Sequence, residues 1–168
     1  MHANEDGFVL GECPVCNQFI ERDGVKIELE DGSYPQCKGK DYKRWTYLKE
    51  KVNNSGSPRV LFHEREIWDC GLGENIGFEQ DGKGKSFLRP VLIIKKFNHD
   101  VLWGIPLTTS KKKGHPYYYN FSFVEGVQSS AILSQIRLID AKRLSHLMGY
   151  MSKPDFEEIK KKLKGLLQ

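Results

Sequence analysis

Between Arg89 and Lys113 the chain reads RPVLIIKKFNHDVLWGIPLTTSKKK: two apolar runs joined by polar residues, with Arg-Pro at the first entrance and Thr108 and Thr109 at the last exit. Pairing the two runs as strands brings both ends to one surface. The stretch SKKKGHPYYY, which contains Lys111 and His115, mixes lysines with three tyrosines. That combination binds single-stranded RNA through phosphate contacts and base stacking. The plain alternative is ordinary strand aromatics beside a solvated lysine turn. A third group lies near the N-terminus. Cys13 and Cys16 in CPVC have the spacing and the proline of a zinc knuckle, and Cys37 follows in YPQCKGK. Lys40 stands where the fourth cysteine of a zinc ribbon would fall. The segment is therefore either a ribbon that has lost its metal or three thiolates completed by a distant ligand such as His2, His63 or Cys70; a structural zinc on Cys13, Cys16 and Cys37 is the metal expectation.

The elements that must position these groups can be read from periodicity. In DYKRWTYLKEKV, Tyr42, Trp45, Leu48 and Val52 fall at helical spacing after Asp41, a natural N-cap, so a short amphipathic helix is expected over 41–52. VNNSGSPR, residues 52–59, is a run of turn formers and reads as a linker. It divides an N-terminal extension, 1–57, from a second domain, 58–168. From Arg65 onward the pattern turns to strands: REIWDC, RPVLIIKKF, VLWGIPLT, PYYYNFSFV, SAILS and IRLID. The central two are too apolar for a surface hairpin. GLGENIGFEQDGKGKSF is glycine-rich and reads as a long loop, and DAKRL as a helical turn capped by Asp140. KPDFEEIKKKLKGLLQ carries Phe156, Ile159, Leu163 and Leu166 or Leu167 at helical spacing, with Pro154 in the first turn and acids ahead of bases. Short strands closed by one helix make the fold class mainly β: a small antiparallel barrel with a C-terminal helix.

Composition excludes several classes. Hydrophobic content of 39% with 29% charged residues is that of a soluble globular chain. No apolar run approaches the roughly 18 residues that span a bilayer. MHANEDGFVLGECPVC does not read as a secretion signal, so the expected compartment is cytoplasmic, where cysteines are thiols or metal ligands rather than disulfides. Residues 1–60 hold nine Lys/Arg against ten Asp/Glu, and residues 61–168 seventeen against twelve. The positive excess of the second segment suits a polyanion such as nucleic acid or is a solvated basic face.

Four motifs in one order then carry a resemblance. EIW, GFEQDGKGKSFLRPVLII, IPLTTS and LSQIRLIDAKRL resemble, in sequence, the first strand, the Gly-x-Glu-Gln loop with Arg-Pro, the Pro-x-Thr-Ser strand end and the Gln-x-Arg-x-(Ile/Leu)-Asp segment of the MazF/PemK toxins of type II toxin–antitoxin systems. The resemblance covers residues 65–167. It implies an SH3-like barrel, a homodimer, a cognate antitoxin as partner, and metal-independent endoribonuclease action on single-stranded RNA, with no cofactor for catalysis. It places Arg89 and Thr108 on the family's catalytic arginine and threonine. Glu79, Gln80, Thr109, Lys111, His115, Gln135 and Arg137 become RNA-contact candidates, with Glu79 and His115 the candidates for the general base. The ordinary reading of Gln135 and Arg137 is internal hydrogen bonding. The chain departs from the family at two points. Ile132 and Ser134 stand where some members carry a catalytic Arg-x-Asp pair, and the loop between Glu79 and Arg89 is several residues longer. The alternative function on the same barrel is an inactive nucleic-acid-binding module or a gyrase-targeting one like CcdB.

Overall fold

The structure, a computed structural model, describes residues 40–56, 60–110, 114–124 and 127–168, together with the short strands at 2–3 and 9–10. Cys13, Cys16, Cys37 and Lys111 lie outside the described residues. The chain divides into two compact units, Met1–Tyr47 and Leu48–Gln168. In the first, β1 (His2–Ala3) and β2 (Val9–Leu10) pair antiparallel, with His2 opposite Leu10. Helix α1 (Tyr42–Asn54) begins in this unit and ends in the second. Asp41 Oδ1 accepts from the Arg44 amide at 2.9 Å, satisfying an N–H that the first helical turn leaves without a partner. Trp45 is buried, whereas Tyr42 at the head of the same stripe is exposed. The helix runs two residues beyond the expected end at Val52, into the turn formers.

The second unit holds β3 (Glu66–Gly71), β4 (Leu88–Lys96), β5 (Val101–Thr108), β6 (Tyr118–Val124), β7 (Val127–Ile132), β8 (Arg137–Asp140), β9 (Leu144–Tyr150) and α2 (Lys153–Gly165). The strands form one antiparallel sheet in the order β6-β7-β5-β4-β3-β9, with β8 also on β5. Strand β5 is the hub. One edge pairs with β4; the other pairs with β8 over Val101–Gly104 and with β7 at Leu107–Thr108. A strand that changes partner midway forces the sheet to curl, and the two end strands approach each other. A Cβ at Gly149 of β9 would lie 3.1 Å from the ring of Phe123 in β6. The result is a mainly β, curled antiparallel half-barrel packed against α2, where the strand pattern led to a small antiparallel barrel with a C-terminal helix.

Both faces of β4 and β5 are covered, which explains their unbroken apolarity. On one face Val91, Ile93 and Leu102 pack with Phe62, Trp68, Ile139 and Leu144. On the other, Leu92, Ile105 and Leu107 pack with Ile67, Phe121 and two α2 residues, Phe156 and Ile159. Each such side chain contributes about 1.5–3 kcal/mol on burial. In the β4–β5 turn, Asn98 Oδ1 accepts from the amides of Asp100 and Val101 at 2.8 and 2.9 Å, an Asx turn that sets the strand register. Asp140 caps the helical turn Ala141–Arg143, its Oδ1 accepting from Lys142 N at 2.8 Å. Ser152 caps α2, with Pro154 in its first turn and Lys162 and Lys164 in its last. The apolar stripe ends at Leu163, since Leu167 is 90% exposed. Strand β9 was not expected, because residues 144–150 expose most of their side chains and show no alternation. Likewise Leu133–Gln135, of which the first two belong to the expected strand SAILS, form a 3-10 turn. No helix among the described residues is long and apolar enough to cross a membrane.

Candidate active site

The glycine-rich segment between β3 and β4 is tied to itself and to the sheet at many points. Gly82 N donates to Gly73 O at 2.7 Å, and Lys83 and Leu88 exchange both backbone bonds at 2.7 and 3.1 Å. Gly82 is obligatory here: a Cβ would lie 1.7 Å from the Phe87 carbonyl oxygen. That same oxygen accepts from Leu72 N at 3.1 Å, which closes the base of the loop. Higher up, Asn75 donates from its amide to Asp81 Oδ1 at 2.6 Å and from its side chain to Gln80 O at 2.8 Å. Gln135 then clamps the tip. Its Oε1 accepts from Gln80 N at 2.7 Å and its Nε2 donates to Phe78 O at 2.9 Å. Glu79, the residue between those two anchors, is exposed.

Arg89 stands at the mouth of β4, opposite Cys70 of β3 and 8% exposed. Its Nε donates to Asp81 O, and its Nη1 donates to Leu107 O at 3.0 Å. One guanidinium therefore joins the loop to the last residues of β5. Neither bond uses Nη2. Burial lowers the Arg89 pKa from its ordinary value, and the Asp81 carboxylate acts in the opposite direction; an arginine keeps its charge under both influences. The β4–β5 register pairs Val91 with Pro106, and continuing it by two residues sets Arg89 level with Thr108. Thr108 is half-buried, and its Oγ1 accepts from Ser110 N at 3.2 Å. Across the other edge it faces Ser130 of β7. The buried Ser130 hydroxyl bonds Ser110 O at 3.3 Å and Asn120 Oδ1 at 2.5 Å, so it braces the chain leaving β5. Nothing in QSSAIL signalled that brace; it follows from the β5–β7 register.

The remaining expectations divide. Glu79, Gln80, Gln135 and Arg137 gather around one groove of about 490 Å³ that also involves Phe78, Ser134 and Ile136. Gln135 is engaged with the loop, and Arg137 Nη2 reaches Asn75 Oδ1 at 3.5 Å. Both therefore have the internal role weighed above, with Arg137 still lining the groove. Thr109 is exposed beside Thr108. His115 is exposed, its Nδ1 accepts from Tyr117 N at 3.3 Å, and its ring meets that of Tyr118 at 4.9 Å. Tyr119 donates its hydroxyl to Asp155 Oδ1 at 2.7 Å and is pushed to a pKa of about 12, by burial first and by Asp155 second. It serves the β6–α2 contact rather than a stacking surface. Ile132 is buried and Ser134 exposed, so the two positions matched to an Arg-x-Asp pair hold no charge here.

Of the distant zinc ligands considered, Cys70 is fully buried, and burial raises its thiol to about 12. His63 Nδ1 is held by Glu66 Oε1 at 3.0 Å. Among the described residues no three His, Cys, Asp or Glu side chains are grouped to hold a metal. A second, larger groove of about 900 Å³ runs between β5, β8 and α2. Trp103, Leu138 and Leu163 line its apolar part, and Lys160, Lys161 and Lys164 its basic part.

Solved structures with the same fold include MazF (Form-I) from Deinococcus radiodurans, 19% identical, with a TM-score of 0.50 over 64% of this chain and 97% of that one. The MazE-MazF structure (Form-II) from the same organism gives 16% identity and a TM-score of 0.50 over 64% and 96%. The Mycobacterium tuberculosis toxin MazF-mt6 aligns at 16% identity and a TM-score of 0.48 over 61% and 96%. Among the curated proteins none matches. At such identities the structures establish the fold alone, but the protein-family model for the PemK-like, MazF-like toxins matches residues 64–167, well over half of the sequence. The chain belongs to the PemK-like, MazF-like toxins of type II toxin–antitoxin systems.

Proposed function

We propose that this chain is a metal-independent endoribonuclease that cleaves single-stranded RNA by attack of a 2′-hydroxyl on the adjacent phosphate. MazF-like toxins are endoribonucleases. The observation that carries the reading for this chain is the buried Arg89 guanidinium, held between Asp81 O and Leu107 O at the level of Thr108. In the reaction the 2′-oxygen forms a bond to phosphorus and the bond to the 5′-oxygen breaks. Negative charge builds on the phosphoryl oxygens, and the Arg89 Nη2 end meets it with donors fixed before reaction, in a partly dry site where such bonds are strongest. Thr108 Oγ aligns the 2′-hydroxyl or holds a phosphate oxygen. Glu79 and His115 are the candidate bases, and the backbone on both sides of Glu79 is held by Gln135; a base takes up the 2′-hydroxyl proton and the departing 5′-oxygen gains one.

The partners follow from the same reading. One mycobacterial endoribonuclease structure is a complex with its cognate antitoxin, and we assign an antitoxin to this chain as well. The groove beside α2, apolar with a lysine rim, suits an acidic amphipathic segment. The division into an N-terminal extension and a barrel, and a zinc on Cys13, Cys16 and Cys37, belong to this proposal. Metal analysis of purified protein checks the latter, and less than about half an equivalent of zinc removes it. The activity is tested by incubating purified protein with a long single-stranded RNA in EDTA and sequencing the products. Cuts are expected with 5′ fragments ending in a cyclic phosphate. No cleavage of any long RNA overturns the nuclease and leaves a binding module.

A further inference from the structure

Four polar side chains share one row across the sheet. Thr108 of β5 pairs with Ser130 of β7, and Ser130 pairs with Asn120 of β6. Side chains of residues paired across antiparallel strands stand on the same face, and Arg89 lies level with Thr108 on its other side. At this end of the sheet the apolar face of Val91, Ile93 and Leu102 thus gives way to Asn120, Ser130, Thr108 and Arg89. Ser130 is the member shut off from solvent, 3% exposed. Its hydroxyl carries one proton, shared between Asn120 Oδ1 at 2.5 Å and Ser110 O at 3.3 Å. The ladders of β7 with β5 and β6 are made by backbone groups and do without this hydroxyl. What it adds is a hold on Ser110, two residues past the end of β5.

Ser110 is also the residue to which the Thr108 side chain is tied. Its amide donates to Thr108 Oγ1 at 3.2 Å, while its carbonyl accepts from Ser130. Both polar ends of Ser110 are therefore fixed, one by the buried row and one by the threonine. A threonine side chain chooses among staggered χ1 positions, and the Ser110 bond selects one of them. With that bond made, Oγ1 still has its own proton and a second lone pair to offer a substrate. Loosening Ser110 would free the hydroxyl to turn, and a misaligned reacting group costs rate more than binding. We infer that Ser130 is a positioning residue for cleavage: through Ser110 it holds the Thr108 hydroxyl in its working rotamer, and Asn120 holds Ser130. The inference rests on the nuclease reading and adds the support behind one of its two groups.

The test uses the full chain with Ser130→Ala, Asn120→Ala and Asn120→Asp, each also combined with Thr108→Val. Three readouts are taken: kcat and KM on a long RNA, affinity for a short 2′-O-methylated single strand that cannot react, and the urea unfolding midpoint. Asn120 is exposed, so its variants keep the test open if Ser130→Ala does not fold. Ser130→Ala and Asn120→Ala are expected to lower kcat by roughly 2- to 10-fold, the worth of one net hydrogen bond. KM and affinity for the methylated strand should stay at wild type, and Asn120→Asp, which still accepts from Ser130, should keep the rate. In the Thr108→Val background the same alanine changes should cost no further rate, because the group they position is gone. Wild-type kcat in both alanine variants overturns the inference but leaves the nuclease standing. So does a loss of equal size with and without the Thr108 hydroxyl, which a purely structural Ser130 would give. Equal losses for Asn120→Asp and Asn120→Ala remove Asn120 from the row. A wild type that cleaves no long RNA overturns both the inference and the nuclease.

Discussion

At the residue scale, the proposed mechanism gives Arg89 two tasks, one in the reaction and one in the fold, and separate readouts of one substitution measure them. Arg89→Ala removes the donor aimed at the developing phosphoryl charge, and cleavage should fall on the order of a hundredfold or more. It also leaves the carbonyls of Asp81 and Leu107 without their guanidinium partner, so a loss of about 1–3 kcal/mol in thermal or urea unfolding should accompany it. Arg89→Lys restores charge but not the two-pronged contact and should recover only part of the activity. Full cleavage by the alanine variant would remove Arg89 from the mechanism. Thr108→Val keeps shape and loses the hydroxyl; cleavage should drop while binding of a 2′-O-methylated strand stays close to wild type, and equal losses in both would refute a role in the chemical step. Cys70 supplies a pH readout. Its folded pKa is raised from 9.0 to about 12 by burial, so the folded state resists the thiolate that the unfolded chain accepts. The stability this gives is complete below pH 9 and is lost as pH rises from about 9 towards 12. In native protein at pH 8, iodoacetamide should spare Cys70, which should react once urea is added; peptide mapping that finds it alkylated in the native state would contradict the burial.

At the scale of elements, the hub strand tolerates little. A Cβ at Gly104 would lie 2.5 Å from Val91 Cγ1 and 2.7 Å from Ile139 Cδ1, across the contact between β4, β5 and β8. Gly104→Ala should therefore lower stability by about 1–3 kcal/mol, as overpacking does, and an unchanged urea midpoint would show that the contact relaxes freely. The elements also show what a sequence reveals. The β4–β5 pair, α2 and the Asp140-capped turn were legible because their signals are local: apolar runs bounded by turn formers, a cap, a periodic stripe. Strand β9 was not, since an edge strand with exposed side chains has no alternation to read. The clamp of Gln135 on Phe78 and Gln80 joins residues 57 and 55 positions apart, and no local pattern carries that. For the same reason the family motif pointed to Arg89 and Thr108, while the brace at Ser130 became visible only in the fold.

At the scale of the molecule, a single small half-barrel offers little surface to a strand of RNA, and on the proposed reading a second copy would add contacts along the strand. We expect a homodimer; sedimentation showing only monomer at micromolar concentration would refute it. Another consequence follows from the way β5 is shared among three partner strands while the tip of the β3–β4 loop, from Asn75 to Asp81, is held largely by bonds to the side chains of Asn75, Asp81 and Gln135. Amide hydrogens in the centre of β5 should exchange with deuterated solvent only when the whole barrel opens. Those of Asn75 and Gln80 should exchange through small local openings that leave the sheet intact. The Thr108 side of the site thus rests on the slowest-opening part of the barrel and the Asp81 anchor of Arg89 on a faster one. On the proposed mechanism, transient release of that anchor, at equilibrium and without unfolding, would leave the guanidinium held by Leu107 O alone and lower the fraction of resting protein that is competent to cut.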